Sequence, residues 1–316
     1  MNSNMKITVV VPTLNEEKSI KKLIDALLNQ THKIDEIIIS DANSKDGTIN
    51  IIKSYIKFGH NIKFANRERI CRGAGRNSGI YESSNDIIAL IDAGSFPQNN
   101  WLEKLLEKYR NKFSIVFGSV KPIYNNLLEY CLSILIIGKN NKEELIYPSV
   151  SSMILNKHSW NNLGRFKESD DGSYIVEDLL FIDKIKSSSF DIFFNSEAIV
   201  NWNVSLNYLE IIKRFSEYSQ GGLKSGYAKK WHLGILKNFL LLILIFISSY
   251  YFIWFILLII PAILLRSYSY LRKNNFFKKI NFFKKIICIF LFTYVLIITD
   301  MATIIGLINW IIKFKK

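Results

Sequence analysis

The sequence is poor in the residues that build several common kinds of site. It has three cysteines, Cys71, Cys131 and Cys288, which lie far apart and form no CxxC pair. A disulfide framework and a zinc ribbon are therefore not expected, and a reducing compartment fits. The 15 glycines and five prolines are too few for a fibrous or low-complexity protein. Neither a G-x-S-x-G nucleophile motif nor a Walker-type phosphate loop occurs in the chain.

Acidic residues are scarce in the last third of the chain. Residues 205–316 contain 16 of the 41 Lys+Arg but only three of the 27 Asp+Glu, so they hold +13 of the net charge of +14. The same region has two apolar runs, 238–265 without a charge and 286–312 with one, Asp300. Each run exceeds the roughly 20 residues that cross a bilayer. Basic residues beside apolar runs indicate a lipid bilayer, and not nucleic acid, as a partner.

These patterns predict three regions. Residues 1–204 form the soluble domain, 205–237 a basic juxtamembrane or interfacial segment, and 238–316 a membrane region with a basic interfacial linker at 266–285. Pro12 and polar residues directly follow the first apolar run, so the N-terminus does not have the pattern of a signal peptide. We therefore expect an integral membrane protein whose soluble domain is cytoplasmic.

The distribution of basic residues conflicts with two simple membrane crossings. Lys and Arg cluster before, between and after the two apolar runs, whereas the positive-inside rule places such clusters on one side. One solution is a first run that re-enters, bending near residues 248–250. Asp300 is a functional candidate because acids are rare inside membranes. The alternative is that it marks a boundary between two short helices.

Up to about residue 200, short β-branched runs alternate with segments of helical spacing. This order predicts an α/β fold with a mostly parallel mixed sheet flanked by helices. Ligands bind such sheets at the carboxyl ends of the strands, so the polar residues that follow the strands are the candidates for chemistry. The predicted strands are 7–11, 34–40, 62–65, 86–91 and 114–120, and the predicted helices are 15–30, 46–58, 72–82 and 100–112.

Polar segments follow the first two predicted strands. Pro12-Thr-Leu-Asn-Glu16 comes after the first, and Asp41-Ala-Asn-Ser-Lys-Asp-Gly-Thr48 after the second. A carboxylate at a strand end can accept hydrogen bonds from a base or ribose, although Ser44 and Asp46 alone are also typical helix caps. Together the segments resemble the nucleotide-sugar half of family 2 glycosyltransferases, which have the GT-A fold. The resemblance implies nucleotide-sugar contacts for Pro12, Thr13, Asn15, Glu16 and Asp41.

Two further segments extend the resemblance. Arg72-Gly-Ala-Gly-Arg76-Asn-Ser-Gly79 is similar to a helix start in this family, which implies that Arg72 and Arg76 hold the nucleotide. Asp92-Ala-Gly94 stands where the family has an Asp-x-Asp element, so Asp92 is the candidate for ribose or metal. Gly94 removes one carboxylate from the expected Mg or Mn site. The alternatives are weak metal dependence, neutralisation by the two arginines, or a turn-forming role for Asp92.

The acceptor half of the family pattern is also present. Glu177-Asp178 precedes a predicted helix, and the resemblance implies that Asp178 is the general base and that Glu177 lies beside the acceptor. The alternative for Glu177 is an acid that stabilises a helix N-terminus. Arg214 begins an Arg-x-x-x-Tyr-x-x-Gly element that resembles one in membrane-associated members. Its alternative is contact with lipid phosphate.

The sequence thus predicts a membrane-bound, inverting transfer of sugar from a nucleotide diphosphate sugar to a polyprenyl phosphate, membrane lipid or lipid-linked glycan. The Gln-x-x-Arg-Trp element of processive synthases is missing, because Phe215 follows Arg214, so single transfers are expected. Two alternatives remain. Gly94 favours a catalytically silent scaffold. A nucleotidyltransferase would have a loop rich in glycine and lysine after the first strand, where this chain has Pro12–Asn15.

Overall fold

The computed structural model describes residues 5–66, 71–137, 147–169, 174–204, 207–252 and 257–314. The chain divides into two compact units. The first, called the sheet unit, comprises Met1–Ile123, Ile146–Ser173 and Glu177–Asn203. The second, called the helical unit, comprises Tyr124–Leu145, Tyr174–Val176 and Val204–Lys316. The domain boundaries at 204/205 and 237/238 stay predictions.

The described residues of the sheet unit form one eight-stranded sheet in the order β3-β2-β1-β4-β7-β6-β8-β5. The first four strands in that order are mutually parallel. β7 is antiparallel to both of its neighbours, β6 and β8 are parallel, and β5 is antiparallel to β8. The sheet is therefore mixed, as predicted. The strands are β1 Ile7–Thr13, β2 Glu36–Asp41, β3 Ile62–Asn66, β4 Ile87–Leu90, β5 Ser95–Pro97, β6 Ser114–Ile123, β7 Tyr147–Asn156 and β8 Asp191–Asn203.

Helices cover both faces of this sheet because its strands are apolar on both sides. Val9 and Val11 of β1 belong to one core cluster, together with Leu23 and Trp101 from helices on that face. Val10 points the other way and belongs to a second cluster. The helices of the sheet unit are α1 Ile20–Leu28, α2 Thr48–Lys57, α3 Arg72–Glu82, α4 Trp101–Leu106, α6 Lys157–Asn162 and α7 Glu177–Lys186.

Three of the predicted helices are shorter in the structure, and α2 differs least, spanning Thr48–Lys57 where 46–58 was predicted. α1 begins at Ile20, not at residue 15, because the backbone at Asn15 and Glu16 bonds to the turn after β2. α4 ends at Leu106, six residues before the predicted end. α3 has the predicted bounds, 72–82. The parallel register pairs Thr13 with Asp41, so the polar segments after β1 and β2 lie at the same sheet edge.

The helical unit consists of α5 and α8 to α12 in the described residues. Within the first apolar run, α9 ends at Tyr251 and α10 begins at Ile259. α12 continues through Asp300, so the alternative of two short helices meeting there is wrong. α9 and α12 are long and apolar enough to cross a membrane. The helices are α5 Leu127–Ile137, α8 Tyr208–Lys224, α9 Ala228–Tyr251, α10 Ile259–Leu271, α11 Asn275–Lys279 and α12 Phe282–Phe314.

Candidate functional site

The loops after β1 and β2 are hydrogen-bonded to each other. Asn15 adopts a left-handed backbone conformation with φ of 53°, which asparagine tolerates better than most residues. Its backbone N–H donates to Ser44 Oγ at 2.8 Å, and its side-chain Oδ1 accepts from the N–H of Lys45 at 2.8 Å. The N–H of Glu16 donates to Thr48 Oγ1 at 2.8 Å. These bonds fix the two loops as one wall of the candidate site.

Asp41 is fully buried at the base of this wall. Its Oδ1 accepts the hydroxyl of Ser44 at 2.6 Å, and its Oδ2 accepts the Ser44 N–H at 2.8 Å. The carboxylate therefore shapes the turn in which Ser44 lies. Pro12 and Thr13 are buried beside it, whereas Asn15 is exposed. The nucleotide contacts implied for these residues stay predictions.

A buried arginine lies between two carboxylates from distant parts of the chain. Arg76, on α3, is 2% exposed, and Glu177, the first residue of α7, is 4% exposed. Arg76 Nη1 donates to Glu177 Oε1 at 2.9 Å, and Nη2 donates to Asp92 Oδ1 at 2.8 Å. The guanidinium thus connects the segment after β4 with the start of α7. All three residues were predicted for the site, but their pairing with each other was not.

The electrostatics of this group follow from its burial. Burial lowers the pKa of Arg76, but the carboxylates of Asp92, Glu177 and Asp178 outweigh it, and the pKa lies above its ordinary value. Arg76 is therefore permanently charged. Burial raises the pKa of Glu177, and the charge of Arg76 opposes that rise. Glu177 thus depends on Arg76 to remain ionised in a poorly solvated position.

Asp178 lies next to this pair in the first turn of α7 and is half-buried. Its Oδ1 accepts the N–H of Leu179 at 2.8 Å. Asp178 is thus less buried than Glu177, and a carboxylate that receives a proton from a substrate must be accessible in this way. The structure brings Asp92, Glu177 and Asp178 together around Arg76. The base role of Asp178 stays a prediction.

Asn77 connects α3 to residues 160–168, a contact that the sequence pattern did not predict. Its Nδ2 donates to the Phe166 carbonyl at 2.9 Å and to Glu168 Oε1 at 2.8 Å. Its Oδ1 accepts from Trp160 Nε1 at 3.0 Å and from the N–H of Phe166 at 3.1 Å. Both the amide nitrogen and the amide oxygen of Asn77 therefore bond to residues 160–168. Its position directly after Arg76 in a recognised motif was the one available signal.

Gly94 faces a carboxylate from a different loop. A Cβ atom built on Gly94 would lie 3.6 Å and 3.7 Å from the two carboxylate oxygens of Glu16. An aspartate at position 94 would therefore bring a second negative charge against Glu16. Glu16 Oε2 also accepts a hydrogen bond from the Ser19 hydroxyl. The chain thus places an acid beside the position where the family's second aspartate is missing.

A divalent cation at this site would need oxygen ligands from these residues. Within the part of the chain that the structure describes, no three His, Cys, Asp or Glu side chains are grouped so as to hold a metal ion. Mg²⁺, however, commonly binds through one or two carboxylates while substrate phosphates and water complete its shell. Asp92 and Glu16 meet that smaller requirement, so the residues fit a cation that arrives with a diphosphate.

Arg72 and Arg214 are the two remaining residues that were predicted for the site. Arg72 is the first residue of α3 and is exposed, one turn before Arg76. Arg214 lies on α8 in the helical unit and is half-buried. Contact of Arg72 with the nucleotide and a place for Arg214 at the active site both stay predictions.

Replacing Arg76 tests the bridge. Arg76→Met leaves Glu177 buried without its cation, so we expect the free energy of unfolding to fall by about 3–5 kcal/mol. The loss should depend on pH. Because burial raises the Glu177 pKa above its ordinary 4.5, the folded variant holds that proton more tightly than the unfolded chain does. Stability is therefore retained below that pH and lost as the pH rises through the raised pKa. Denaturant unfolding at about pH 5 and about pH 8 measures the difference.

Two variants serve as controls for this measurement. Arg72→Met removes an exposed arginine from the same helix; Arg72 also lowers the Glu177 pKa, but less than Arg76 does, so its loss should cost clearly less stability. Arg76→Met combined with Glu177→Gln should recover much of the loss at the higher pH, because no buried charge remains there. Equal stability of the two single variants would show that Arg76 is not the partner on which Glu177 depends.

Known proteins that are similar to this chain in sequence are glycosyltransferases. Residues 8–169 match the family model described as "Glycosyl transferase family 2". A Campylobacter jejuni GalNAc(5)-diNAcBac-PP-undecaprenol beta-1,3-glucosyltransferase is 29% identical over 116 residues, 36% of this chain and 38% of the relative. A Methanococcus voltae glucuronosyltransferase, named for a dolichyl N-acetyl-alpha-D-glucosaminyl phosphate, is 30% identical over 131 residues, 38% of this chain and 41% of the relative. The matched segments cover less than half the length of these curated relatives.

A solved structure shows the fold. The mannosyltransferase PcManGT from Pyrobaculum calidifontis, in complex with GDP-Man and Mn²⁺, superposes with a TM-score of 0.51 over 71% of this chain and 64% of that chain, at 16% identity. The predicted GT-A fold is thereby confirmed. The family match includes the loops after β1 and β2, Arg76 and Asp92, and it does not favour the nucleotidyltransferase alternative. The chain belongs to glycosyl transferase family 2.

Proposed function

We propose that this enzyme transfers one sugar at a time, with inversion, from a nucleotide diphosphate sugar to a lipid-linked or polyprenyl phosphate acceptor. The supporting observation is the buried Arg76, which joins Asp92 and Glu177 by hydrogen bonds of 2.8 and 2.9 Å. Asp92 follows a strand of the nucleotide-binding half, whereas Glu177 and Asp178 begin the helix of the acceptor half. The Arg76 guanidinium therefore bonds to one carboxylate on the proposed nucleotide side, Asp92, and to one on the proposed acceptor side, Glu177.

Asp178 is the proposed general base. Its carboxylate takes the proton of an acceptor hydroxyl while the hydroxyl oxygen bonds to the anomeric carbon. The bond from that carbon to the diphosphate oxygen breaks on the opposite face, and the nucleoside diphosphate leaves with the electron pair. A phosphate acceptor is already ionised, and Asp178 then positions it and accepts no proton. Glu177 cannot take this role easily because it is buried against Arg76.

Asp92 and Glu16 are the proposed protein ligands of a divalent cation. When bound, the cation neutralises the charge that develops on the departing diphosphate. The two loops after β1 and β2, fixed to each other through Asn15 and Ser44, orient the nucleotide. The proposal takes support from PcManGT, whose structure contains GDP-Man and Mn²⁺.

A lipid-linked acceptor is proposed because the same chain contains apolar helices. α9 and α12 have mean hydropathies of 2.0 and 2.2 in their most apolar stretches. The names of the Campylobacter jejuni and Methanococcus voltae relatives also refer to undecaprenol and dolichyl carriers. We therefore propose an enzyme bound to the membrane, with its sheet unit in the cytoplasm.

Radiolabelled sugar donors test the overall proposal. Membranes containing the full chain should move label from one nucleotide sugar into the chloroform-soluble lipid fraction, and membranes with Asp178→Asn should lose most of this transfer when the acceptor reacts through a hydroxyl. A panel of UDP- and GDP-linked sugars identifies the donor. Label that appears only as free sugar or in water-soluble glycan would contradict a lipid acceptor, and no release from any donor would favour the silent scaffold.

Neutralising Asp178 tests the base. With a hydroxyl acceptor, Asp178→Asn should lower kcat by about 10²- to 10⁴-fold, the range for loss of a general base. Asp183→Asn, an exposed position later in α7, is the matched control and should retain activity. The KM for the donor should change little in either variant. A folded Asp178→Asn enzyme with near-normal kcat would contradict the assignment.

The cation ligands are tested without an activity assay. Glu16→Gln should weaken Mn²⁺ binding by about tenfold or more in the presence of UDP or GDP, measured by the electron paramagnetic resonance signal of free Mn²⁺. Glu17→Gln removes the adjacent, exposed acid and is the control. Equal Mn²⁺ affinity in the two variants would remove Glu16 from the proposed ligand set.

A further inference from the structure

α12 has one apolar face exposed and one face buried in the helical unit. With a rise of about 1.5 Å per residue it is about 50 Å long, well beyond the roughly 30 Å hydrocarbon core of a bilayer. Thr299, Asp300 and Thr303 are buried near its middle. Exposed apolar side chains recur every three or four residues on the other face, a row named the α12 stripe: Ile286, Phe290, Tyr294, Ile297, Met301, Ile305, Ile308 and Ile312.

α8 runs alongside α12 in the same direction. The rings of Tyr208 and Tyr294 lie 6.0 Å apart, and eleven residues later Ser219 Oγ donates to the Thr303 carbonyl at 2.7 Å. Gly306 then approaches so closely that an added Cβ would overlap the Ser216 carbonyl and the Ser219 side chain. α8 therefore flanks the middle of α12.

The charges of α8 are incompatible with a crossing by α12. The apolar run 286–312 is centred near Thr299, the level that α8 occupies. A crossing would place exposed Glu210 and Lys213 of α8 at the depth of the hydrocarbon core. A charge there costs about 2.5–3.5 kcal/mol on insertion scales. An orientation along the surface leaves them in water and the stripe in lipid.

α9 is also prevented from crossing once. The helix before it is held to α12 through Ser219, whose Oγ lies 2.8 Å from His232 Nε2 at the start of α9. The helix after it, α10, bonds to α12 through Arg266 with Asp300, and Ser267 Oγ lies 2.7 Å from Thr293 Oγ1. A single crossing would put these two neighbours of α12 on opposite sides of the bilayer. Residues 252–265 are too few for a second spanning helix, which needs about 20.

We infer that the helical unit is monotopic: α12 lies in the plane of one anionic leaflet with the α12 stripe in the acyl–headgroup boundary, and neither α9 nor α12 crosses the bilayer. This inference rests on the proposed membrane association. It resolves the charge conflict of the sequence, because the basic clusters before α9, between the apolar runs and after α12 then face the same anionic surface.

Cysteine labelling measures which side each cluster faces. Lys224→Cys, Lys279→Cys and Lys313→Cys place exposed thiols before, between and after the apolar runs, while the three native cysteines are buried. A membrane-impermeant maleimide should label all three variants in inside-out vesicles and none of them in right-side-out vesicles. Labelling of any one from the opposite side to the others would establish a crossing and overturn the inference, although membrane association would stand. Recovery of the chain in the soluble fraction would overturn both.

A depth measurement separates the two orientations of α12 directly. Nitroxide labels at Phe290→Cys, Ile297→Cys and Ile308→Cys sample the α12 stripe in vesicles of phosphatidylglycerol and phosphatidylethanolamine. For a helix in the plane, relaxation by oxygen and by a polar nickel complex should give equal depths of about 5–10 Å. For a crossing helix, position 297 should lie about 10 Å deeper than position 290, as seven residues of helix require. The second result would contradict the inference.

Discussion

A single guanidinium determines how the carboxylates of the candidate site are arranged. Arg76 is buried, and a buried cation requires partners at fixed distances because no water replaces them. Its two partners belong to segments that meet only in the folded sheet unit: Asp92 lies two residues after β4, and Glu177 is the first residue of α7. The donor half and the acceptor half therefore cannot shift independently. Because Asp92 and Glu177 both bond to the Arg76 guanidinium, a change in one carboxylate alters the hydrogen bonding of the other.

The different roles of Glu177 and Asp178 follow from the bond between Arg76 and Glu177. The two acids are adjacent in sequence, yet one is buried against the cation and the other is half-exposed on the first turn of the helix. The buried acid stabilises the arrangement, and the accessible one is free to meet a substrate. Geometry, and not residue type, thus separates a structural carboxylate from the proposed base.

The local patterns of the sequence predicted much of the sheet unit. The bounds of α3 agree, and Cys71 caps its first turn. The alternation of strands and helices predicted the mostly parallel sheet flanked by helices, although not the order of its strands. α1 could not be bounded correctly, since its first turn is replaced by bonds from residues 15 and 16 to a loop about 30 residues away. Likewise, the pairing of Arg76 with Glu177 spans 101 residues, and the four bonds of Asn77 reach residues more than 80 positions away. No periodicity encodes such distances.

The apolar runs show a different limit of sequence patterns. A hydropathy score depends only on the residues of one helix and contains no information about the helices that pack beside it. α12 has the composition of a span, but α8 accompanies it with exposed charges and α10 pairs an arginine with its aspartate. The orientation of an apolar helix is thus decided by its neighbours as much as by its own residues.

The four hydrogen bonds of Asn77 also constrain the order in which the sheet unit folds. The Trp160 indole and both backbone groups of Phe166 find their partner in one amide on α3. Until α3 has docked against β1, where Gly79 allows close contact with Val10, those groups cannot leave water without an unsatisfied donor or acceptor. The acceptor half is therefore expected to assemble on a nucleotide half that has already formed, in the order in which the chain leaves the ribosome.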